Sequence, residues 1–174
     1  MDKIEIPISK TKISILLVGA ILFVIFGVLF IITPDTFVTI RYRNPQTIRL
    51  TGIASVLFFG GASIYGFIKL FDKSMGLVID DNGITDNTNA SSVGLINWSD
   101  IIEVKTEQVM STKFLLIYTI NPDKYLDRGK GFKQILLKLN MKKYGTPISI
   151  ISNTLRFNFD DFERLIKNKL KDKK

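Results

Sequence analysis

The densest group of oxygen-bearing side chains lies between residues 80 and 87. Five of them have the types that bind calcium: Asp80, Asp81, Asn82, Asp86 and Asn87. A calcium-binding loop also requires a glycine at its sixth position and a glutamate at its twelfth, whereas Gly83 comes too early and no glutamate follows at that distance. The spacing therefore favours a hairpin turn around Asn82 and Gly83, and we predict neither a metal site nor a cofactor.

The chain contains no cysteine and no histidine. Their absence excludes disulfides, thiolate and imidazole metal ligands, cysteine nucleophiles and the most common general base. The sequence also lacks the G-x-S-x-G motif of hydrolases, the Walker phosphate loop and the G-x-G-x-x-G dinucleotide loop. We therefore predict that the protein is not an enzyme, and we assign no catalytic residue.

Trp98 and Asp100 are the next candidates for a binding site. They stand at the end of an apolar stretch, on either side of Ser99. A single tryptophan at the end of a strand is more often part of a core, and an aspartate after a serine more often caps a turn. We predict a structural turn at Trp98 and Asp100, with ligand binding as the alternative.

A group of lysines in the last third of the chain is the candidate membrane-surface site: Lys130, Lys133, Lys138, Lys142 and Lys143. No acidic residue occurs among them, and the apolar Phe132, Ile135, Leu136 and Leu139 recur at helical spacing. One interpretation is a solvated helix face. The other is a helix that rests on anionic lipid headgroups, with its apolar residues opposite the charges.

Two long apolar stretches precede these candidates. Residues 13–33 would form a helix about 31 Å long, enough to cross a hydrocarbon core of about 30 Å. Residues 50–71 form a second predicted span, joined to the first by a connector at 34–49 and preceded by a strand-like segment at 1–12. Neither span has a charged residue at its centre, which argues against a transport pathway.

The second span is rich in small residues. Gly60, Gly61, Ala62 and Gly66 would let two helix backbones approach closely. We predict that this group faces the first span.

Lysine and arginine counts predict the orientation of the spans. Five lysines flank the outer ends of the two spans (Lys3, Lys10, Lys12, Lys69 and Lys73), and three arginines lie in the connector (Arg41, Arg43 and Arg49). The positive-inside rule then places both termini in the cytoplasm. A cleaved signal peptide is the competing interpretation, but its apolar core would be shorter than the first run.

Residues 75–174 change to the pattern of a β-rich domain. Short apolar strands alternate with turns. We predict a last helix with Asn158 as its N-cap and an apolar face of Phe159, Phe162, Ile166 and Leu170. Residues 4–8 also alternate isoleucines with Glu5 and Pro7, so this segment could add an edge strand to the domain.

Several stretches resemble a known family. They are IEIPISK at 4–10, GLVIDDNGI at 76–84, VGLINWSDI at 93–101, STKFLLI at 111–117 and YGTPISI at 144–150. With the two spans, the chain resembles a mostly uncharacterised family of small bacterial inner-membrane proteins that carry a bacterial pleckstrin-homology-like domain. The resemblance implies an α+β membrane protein, in which a two-helix transmembrane hairpin is followed by a pleckstrin-like β-barrel or sandwich capped by a C-terminal helix. It implies no catalytic residues, and the basic stretch at 130–143 departs from a minimal core.

These observations predict a non-enzymatic inner-membrane protein that presents a cytoplasmic binding or scaffolding domain. Its partners would be the lipid bilayer, including anionic headgroups, and a protein that the sequence does not identify. A net charge of +8 is too mild to require nucleic acid, which we do not expect as a partner. The alternative is a membrane-resident immunity or modulator protein that recognises a toxin or membrane partner through its hairpin.

Overall fold

The structure, a computed structural model, describes residues 3–39, 44–110, 112–151 and 155–172. It is a mixed α+β protein with two long apolar helices, as predicted, and its strands form two antiparallel sheets. The chain divides into two compact units. One unit comprises the described residues of Met1–Ser9 and Ser74–Lys174, and the other comprises those of Lys10–Lys73.

The smaller unit is a helical hairpin. Helix α1 (Lys10–Ile32) begins three residues before the predicted span, and a short 3-10 helix (Pro34–Phe37) follows it in the connector. Helix α2 (Pro45–Phe71) begins five residues before its predicted span. The early start has a local cause, since Asn44 Oδ1 accepts a hydrogen bond from Gln46 N and Pro45 is suited to the first helical position.

The first sheet of the other unit contains four strands in the order β1-β2-β3-β4. They are β1 (Ile4–Ile6), β2 (Leu77–Ile79), β3 (Gly83–Asp86) and β4 (Gly94–Asn97). The N-terminal segment therefore does add an edge strand, with Ile4 opposite Ile79 and Ile6 opposite Leu77. Because β1 and β2 are hydrogen-bonded neighbours, the whole helical hairpin is inserted between two adjacent strands of one sheet.

The turn between β2 and β3 forms where predicted. Gly83 does not, however, supply the positive φ angle that tight hairpin turns favour. Asp80 Oδ1 accepts hydrogen bonds from Asn82 N at 2.8 Å and from Gly83 N at 3.2 Å. Among the described residues, Gly83 is not one of those with a positive φ angle. A Cβ atom at this position would instead lie 2.0 Å from Ile96 O, so the glycine is required by the close approach of β4.

The second sheet contains β5 (Ile101–Val109), β6 (Thr112–Thr119) and β7 (Ile148–Ile151), in that order. Residue 111, between β5 and β6, lies outside the described residues. Two helices separate β6 from β7: a short α3 (Asp123–Leu126), which the sequence did not predict, and α4 (Phe132–Tyr144). No strand pair among the described residues joins the two sheets, so the unit is not a closed barrel in that part of the chain.

The C-terminal helix α5 (Phe159–Asp172) completes the core. Asn158 Oδ1 accepts a hydrogen bond from Asp160 N at the start of the helix, as its sequence predicted. Phe162 and Ile166 are buried together with Leu77 and Ile84 of the first sheet and Ile117 of the second. Burial of this shared apolar surface holds both sheets and α5 in one unit.

Candidate functional site

The outer surface of the helical hairpin is the largest apolar surface of the described chain. Large side chains project outward from both helices, with Ile15 67% exposed on α1 and Leu57 73% exposed on α2. Only 6% of the most apolar stretch of each helix is buried, whereas the core helix of a soluble protein would be mostly covered. Both helices are long and apolar enough to cross a membrane.

The two helices make their closest contact at Gly27 and Gly52. A Cβ atom on Gly52 would lie 2.6 Å from Gly27 O, and one on Gly27 would lie 3.0 Å from Gly52 O. Beside this contact, Ser55 Oγ donates a hydrogen bond to Phe23 O at 3.0 Å, and the rings of Phe23 and Phe59 stack at 4.3 Å. Small residues thus bring the backbones together, as is usual for membrane helices.

The small residues singled out from the sequence lie elsewhere on α2. A Cβ atom on Gly60 or Gly61 would meet no heavy atom within 4 Å, and Ala62 is exposed. Only Gly66 is near α1, where an added Cβ would lie 3.5 Å from Leu17 Cδ1, an ordinary contact. The prediction that Gly60 and Gly61 mediate close packing against α1 is therefore wrong for these two residues, because they lie off the face that meets α1.

Lys10 joins the start of α1 to the end of α2. Its Nζ donates hydrogen bonds to Leu70 O at 2.6 Å, to Lys69 O at 3.3 Å and to Asp72 O. Lys69 Nζ in turn lies 2.8 Å from Asp72 Oδ2. A lysine that donates to the last carbonyls of a helix is favourably placed in the field of the helix dipole. The contact also shows that the hairpin begins and ends at the same end of the helix pair.

Four of the five lysines named from the sequence lie on α4, and the fifth, Lys130, lies two residues before it. Lys130, Lys138, Lys142 and Lys143 are exposed, and Lys133 is half-buried. None of them forms an ion pair with a described residue. Four of the five thus lie on one helix of the α+β unit, and Lys130 lies in the segment before it.

The apolar side chains of α4 do not lie where the sequence pattern placed them. Phe132, Ile135 and Leu139 are exposed, and Leu137 is the side chain of this helix that is fully buried. The expected arrangement of apolar residues opposite the charges is wrong, because three of the four apolar residues share the outer side of the helix with lysines. The neighbouring β7 and α3 cover a different face from the one that periodicity indicated.

Trp98 and Asp100 form a 3-10 turn (Trp98–Asp100) between the two sheets. Trp98 is 6% exposed, and its Nε1 donates a hydrogen bond to Asp80 O at 2.8 Å. Asp100 Oδ2 accepts hydrogen bonds from Lys124 Nζ at 2.6 Å and from Tyr125 Oη at 2.7 Å. These contacts tie the turn to β2 and to α3, which is the arrangement of a structural joint.

The contact between Asp100 and Tyr125 shifts the pKa of both side chains. The hydrogen bond from Lys124, followed by the one from Tyr125, holds the pKa of the Asp100 carboxyl below its usual range. Burial, followed by the hydrogen bond to Asp100, raises the pKa of the Tyr125 hydroxyl to about 12. The sequence analysis did not single out Tyr125, because nothing in the sequence brings a residue of α3 beside the turn at Trp98.

The carboxylates of Asp80 and Asp86 accept hydrogen bonds within local turns. Asp80 caps the hairpin, and buried Asp86 accepts hydrogen bonds from Thr88 N at 2.9 Å and Thr88 Oγ1 at 2.6 Å. Within the described ranges, no group of three or more acidic side chains is placed to hold a metal ion. These contacts satisfy the carboxylates locally.

A lateral groove opens on the hairpin beside the Gly27 and Gly52 contact. It has a volume of about 490 Å³, and its lining includes Phe26, Phe30, Ala54 and Phe58. Its walls are almost entirely apolar. The groove is an apolar surface on the side of the hairpin.

Comparison with known proteins gave no match of the chain to a protein-family model, to a curated protein or to a solved structure.

Proposed function

We propose that this chain is a non-enzymatic membrane protein whose two helices span a bacterial inner membrane and hold the α+β unit at the cytoplasmic surface as a binding or scaffolding module. The observation that carries the proposal is the apolar outer surface of the hairpin, where side chains such as Ile15 and Leu57 stand exposed on two helices of spanning length. Exposure of this much apolar surface to water would be strongly unfavourable, and a bilayer removes it from water.

The strand pairing supports a hairpin with both ends on one side of the bilayer. Ile4–Ile6 pairs with Leu77–Ile79, so the segments before α1 and after α2 belong to the same sheet. A chain that crosses the membrane twice returns to the side from which it started, which satisfies this pairing. A single crossing would separate the two strands by the thickness of the bilayer.

The cytoplasmic side is supported by the lysines at the open end of the hairpin. Lys10 and Lys69 lie there, and Lys3, Lys12 and Lys73 flank the same ends in the sequence. Arg49 belongs to the start of α2, while Arg41 and Arg43 lie outside the described residues.

The pleckstrin-like assignment of the α+β unit is part of the same proposal. Its support is a unit of one four-stranded and one three-stranded antiparallel sheet, closed by α5, with Trp98 at the joint between the sheets. A module of this kind acts by presenting surfaces, and we assign it no reaction.

Single cysteines in the cysteine-free chain test this topology. Thr36→Cys lies in the connector and Asn168→Cys lies on α5, and both native side chains are exposed. In intact cells, a membrane-impermeant maleimide should label Thr36→Cys, whereas Asn168→Cys should react only after lysis. Labelling of Asn168→Cys alone would place the unit on the outer side, and labelling of both in intact cells would show that the helices do not span.

The lateral groove favours a second candidate, a modulator that recognises a membrane partner through its hairpin. Ala54 lines the groove and is exposed. Ala54→Phe would fill the groove without altering Gly27 or Gly52, and a modulator would then lose its effect on the partner. A scaffold that acts through the α+β unit should tolerate this change.

A further inference from the structure

Helix α4 presents a row of large apolar side chains on its outer side. Phe132 is 69% exposed, Ile135 is 55% exposed and Leu139 is 56% exposed. Their spacing of three and four residues aligns them on one face of the helix. Large apolar side chains that stand together on a surface usually mark a site of contact.

The exposed row is not the face by which α4 packs in the unit, because the opposite face of α4 makes those contacts. Leu137 is fully buried, and Asn140 Nδ2 donates hydrogen bonds to Ser149 Oγ at 3.0 Å and to Pro147 O at 3.3 Å. Tyr118 Oη also donates to Tyr144 O at the end of the helix, at 2.9 Å. The orientation of the outer row therefore follows from contacts on the inner face.

Positive charge surrounds the apolar row. Lys138, Lys142 and Lys143 are exposed on the helix, and no ion pair joins them to any described residue. The sequence contains no acidic residue between positions 128 and 159. The surface therefore fits a partner whose interior is apolar, to contact the row, and whose outer layer is anionic, to contact the lysines.

We propose that the outer face of α4 is a membrane-contact surface whose occupant is an anionic bilayer surface. Phe132, Ile135 and Leu139 enter the boundary between headgroups and acyl chains, while the lysines contact the anionic headgroups. The inference rests on the proposed function, because the hairpin keeps the unit tethered to a bilayer. Charge complementarity selects lipid with acidic headgroups over neutral lipid.

Power-saturation electron paramagnetic resonance of the full chain in vesicles tests this proposal. A nitroxide label is attached in turn at Ile135→Cys on α4, at Ile21→Cys in the middle of α1, and at Glu107→Cys on exposed β5. In vesicles of phosphatidylglycerol and phosphatidylcholine, the labels at 21 and 135 should be more accessible to oxygen than to a nickel chelate. The label at 107 should show the reverse, and in pure phosphatidylcholine the label at 135 should return toward the values found at 107.

The three labels separate failure of this inference from failure of the proposed function. Suppose that the label at 21 is protected from the nickel chelate and the label at 135 is not. This result would overturn the lipid contact of α4 and leave the two-span hairpin intact. Exposure of the label at 21 to the nickel chelate would contradict the membrane span itself. Equal protection of the label at 135 in both lipids, or in detergent without a bilayer, would overturn the anionic bilayer as the occupant and indicate a protein or a second copy.

A matched pair of charge variants completes the test. Lys138→Gln with Lys142→Gln should abolish the difference between the two lipids at position 135. Lys167→Gln with Lys171→Gln removes two exposed lysines of α5 and should leave that difference unchanged. The same response in both double variants would show that net charge, and not the face of α4, controls the contact.

Discussion

Single side chains at the joint between the two sheets link titration to the stability of the α+β unit. Asp100 accepts hydrogen bonds from Lys124 and Tyr125, and Trp98 donates one to Asp80 O. Trp98 is the one tryptophan of the chain. Its fluorescence therefore reports unfolding of this unit without a contribution from the hairpin.

Acid and alkali should destabilise the unit through this pair. The lowered pKa of Asp100 contributes stability that is complete above its unfolded value of about 3.9 and is lost as the pH falls through the folded value. The pKa of Tyr125, raised to about 12, contributes stability that is complete below its unfolded value of about 10 and is lost as the pH rises toward 12. Unfolding by urea, followed at Trp98 in detergent micelles, should show both limits.

Asp100→Asn should lower the free energy of unfolding at pH 7 by about 1–3 kcal/mol, because the hydrogen bonds from Lys124 and Tyr125 lose their charged acceptor. It should also flatten the loss of stability below pH 4. Glu103→Gln is the control, since its ion pair with Lys105 is exposed and should contribute less than about 1 kcal/mol. Equal effects of the two variants would contradict the structural role of Asp100.

At the scale of elements, the hairpin is held by a close contact near its connector end and by a charged contact at its open end. Gly27 and Gly52 allow the backbones to meet, and Lys10 bonds the last carbonyls of α2. In lipid, packing contacts and hydrogen bonds of this kind are what associate helices, because the hydrophobic effect no longer acts between them.

Gly52→Ala should destabilise the hairpin, whereas Gly60→Ala should not. The new Cβ at position 52 would lie 2.6 Å from a backbone oxygen that cannot move freely, so we expect a loss of about 1–3 kcal/mol. At position 60 nothing lies within 4 Å, and alanine should be neutral or stabilise the helix by up to about 1 kcal/mol. Titration with denaturing detergent, followed by helicity, measures both. A loss at position 60 as large as that at 52 would exclude this packing.

At the scale of the whole molecule, the hairpin is an insertion within a sheet. The strands β1 and β2 are hydrogen-bonded neighbours, although α1 and α2 separate them in the chain. Ile6 and Ile8 of the N-terminal segment are both buried in the α+β unit. The unit therefore needs the residues on both sides of the hairpin to complete its core.

Ile6→Ala should destabilise the α+β unit by about 2–5 kcal/mol, because the side chain is 2% exposed and its removal leaves a cavity. Hydrogen exchange of the amides in β2, measured by mass spectrometry on the full chain, should become faster. Glu5→Ala is the control, since its side chain is exposed and the change should stay within about 0.5 kcal/mol. Unchanged exchange in Ile6→Ala would show that β1 does not contribute to the fold.

Local patterns in the sequence were sufficient to predict most elements. The apolar runs of α1 and α2 and the cap at Asn158 each depend on neighbours within a few residues, so they can be read from a short window. For the same reason, the missed α3 is a single turn that leaves almost no periodic signal. The bounds of α1 and α2 differed by three to five residues, because helices continue past the apolar run when capping permits.

Tertiary structure decided which of several similar sets of residues is buried or packed against another element. Periodicity marks Phe132, Ile135 and Leu139 as one face of α4. Only the position of β7 determines that Leu137 is buried and that these three side chains remain exposed. Small residues occur along α2, yet the crossing of the helices selects Gly52 over Gly60. The sequence by itself determined element type, since that depends on local spacing. Burial depends on surfaces contributed by distant residues, and no local pattern contains them.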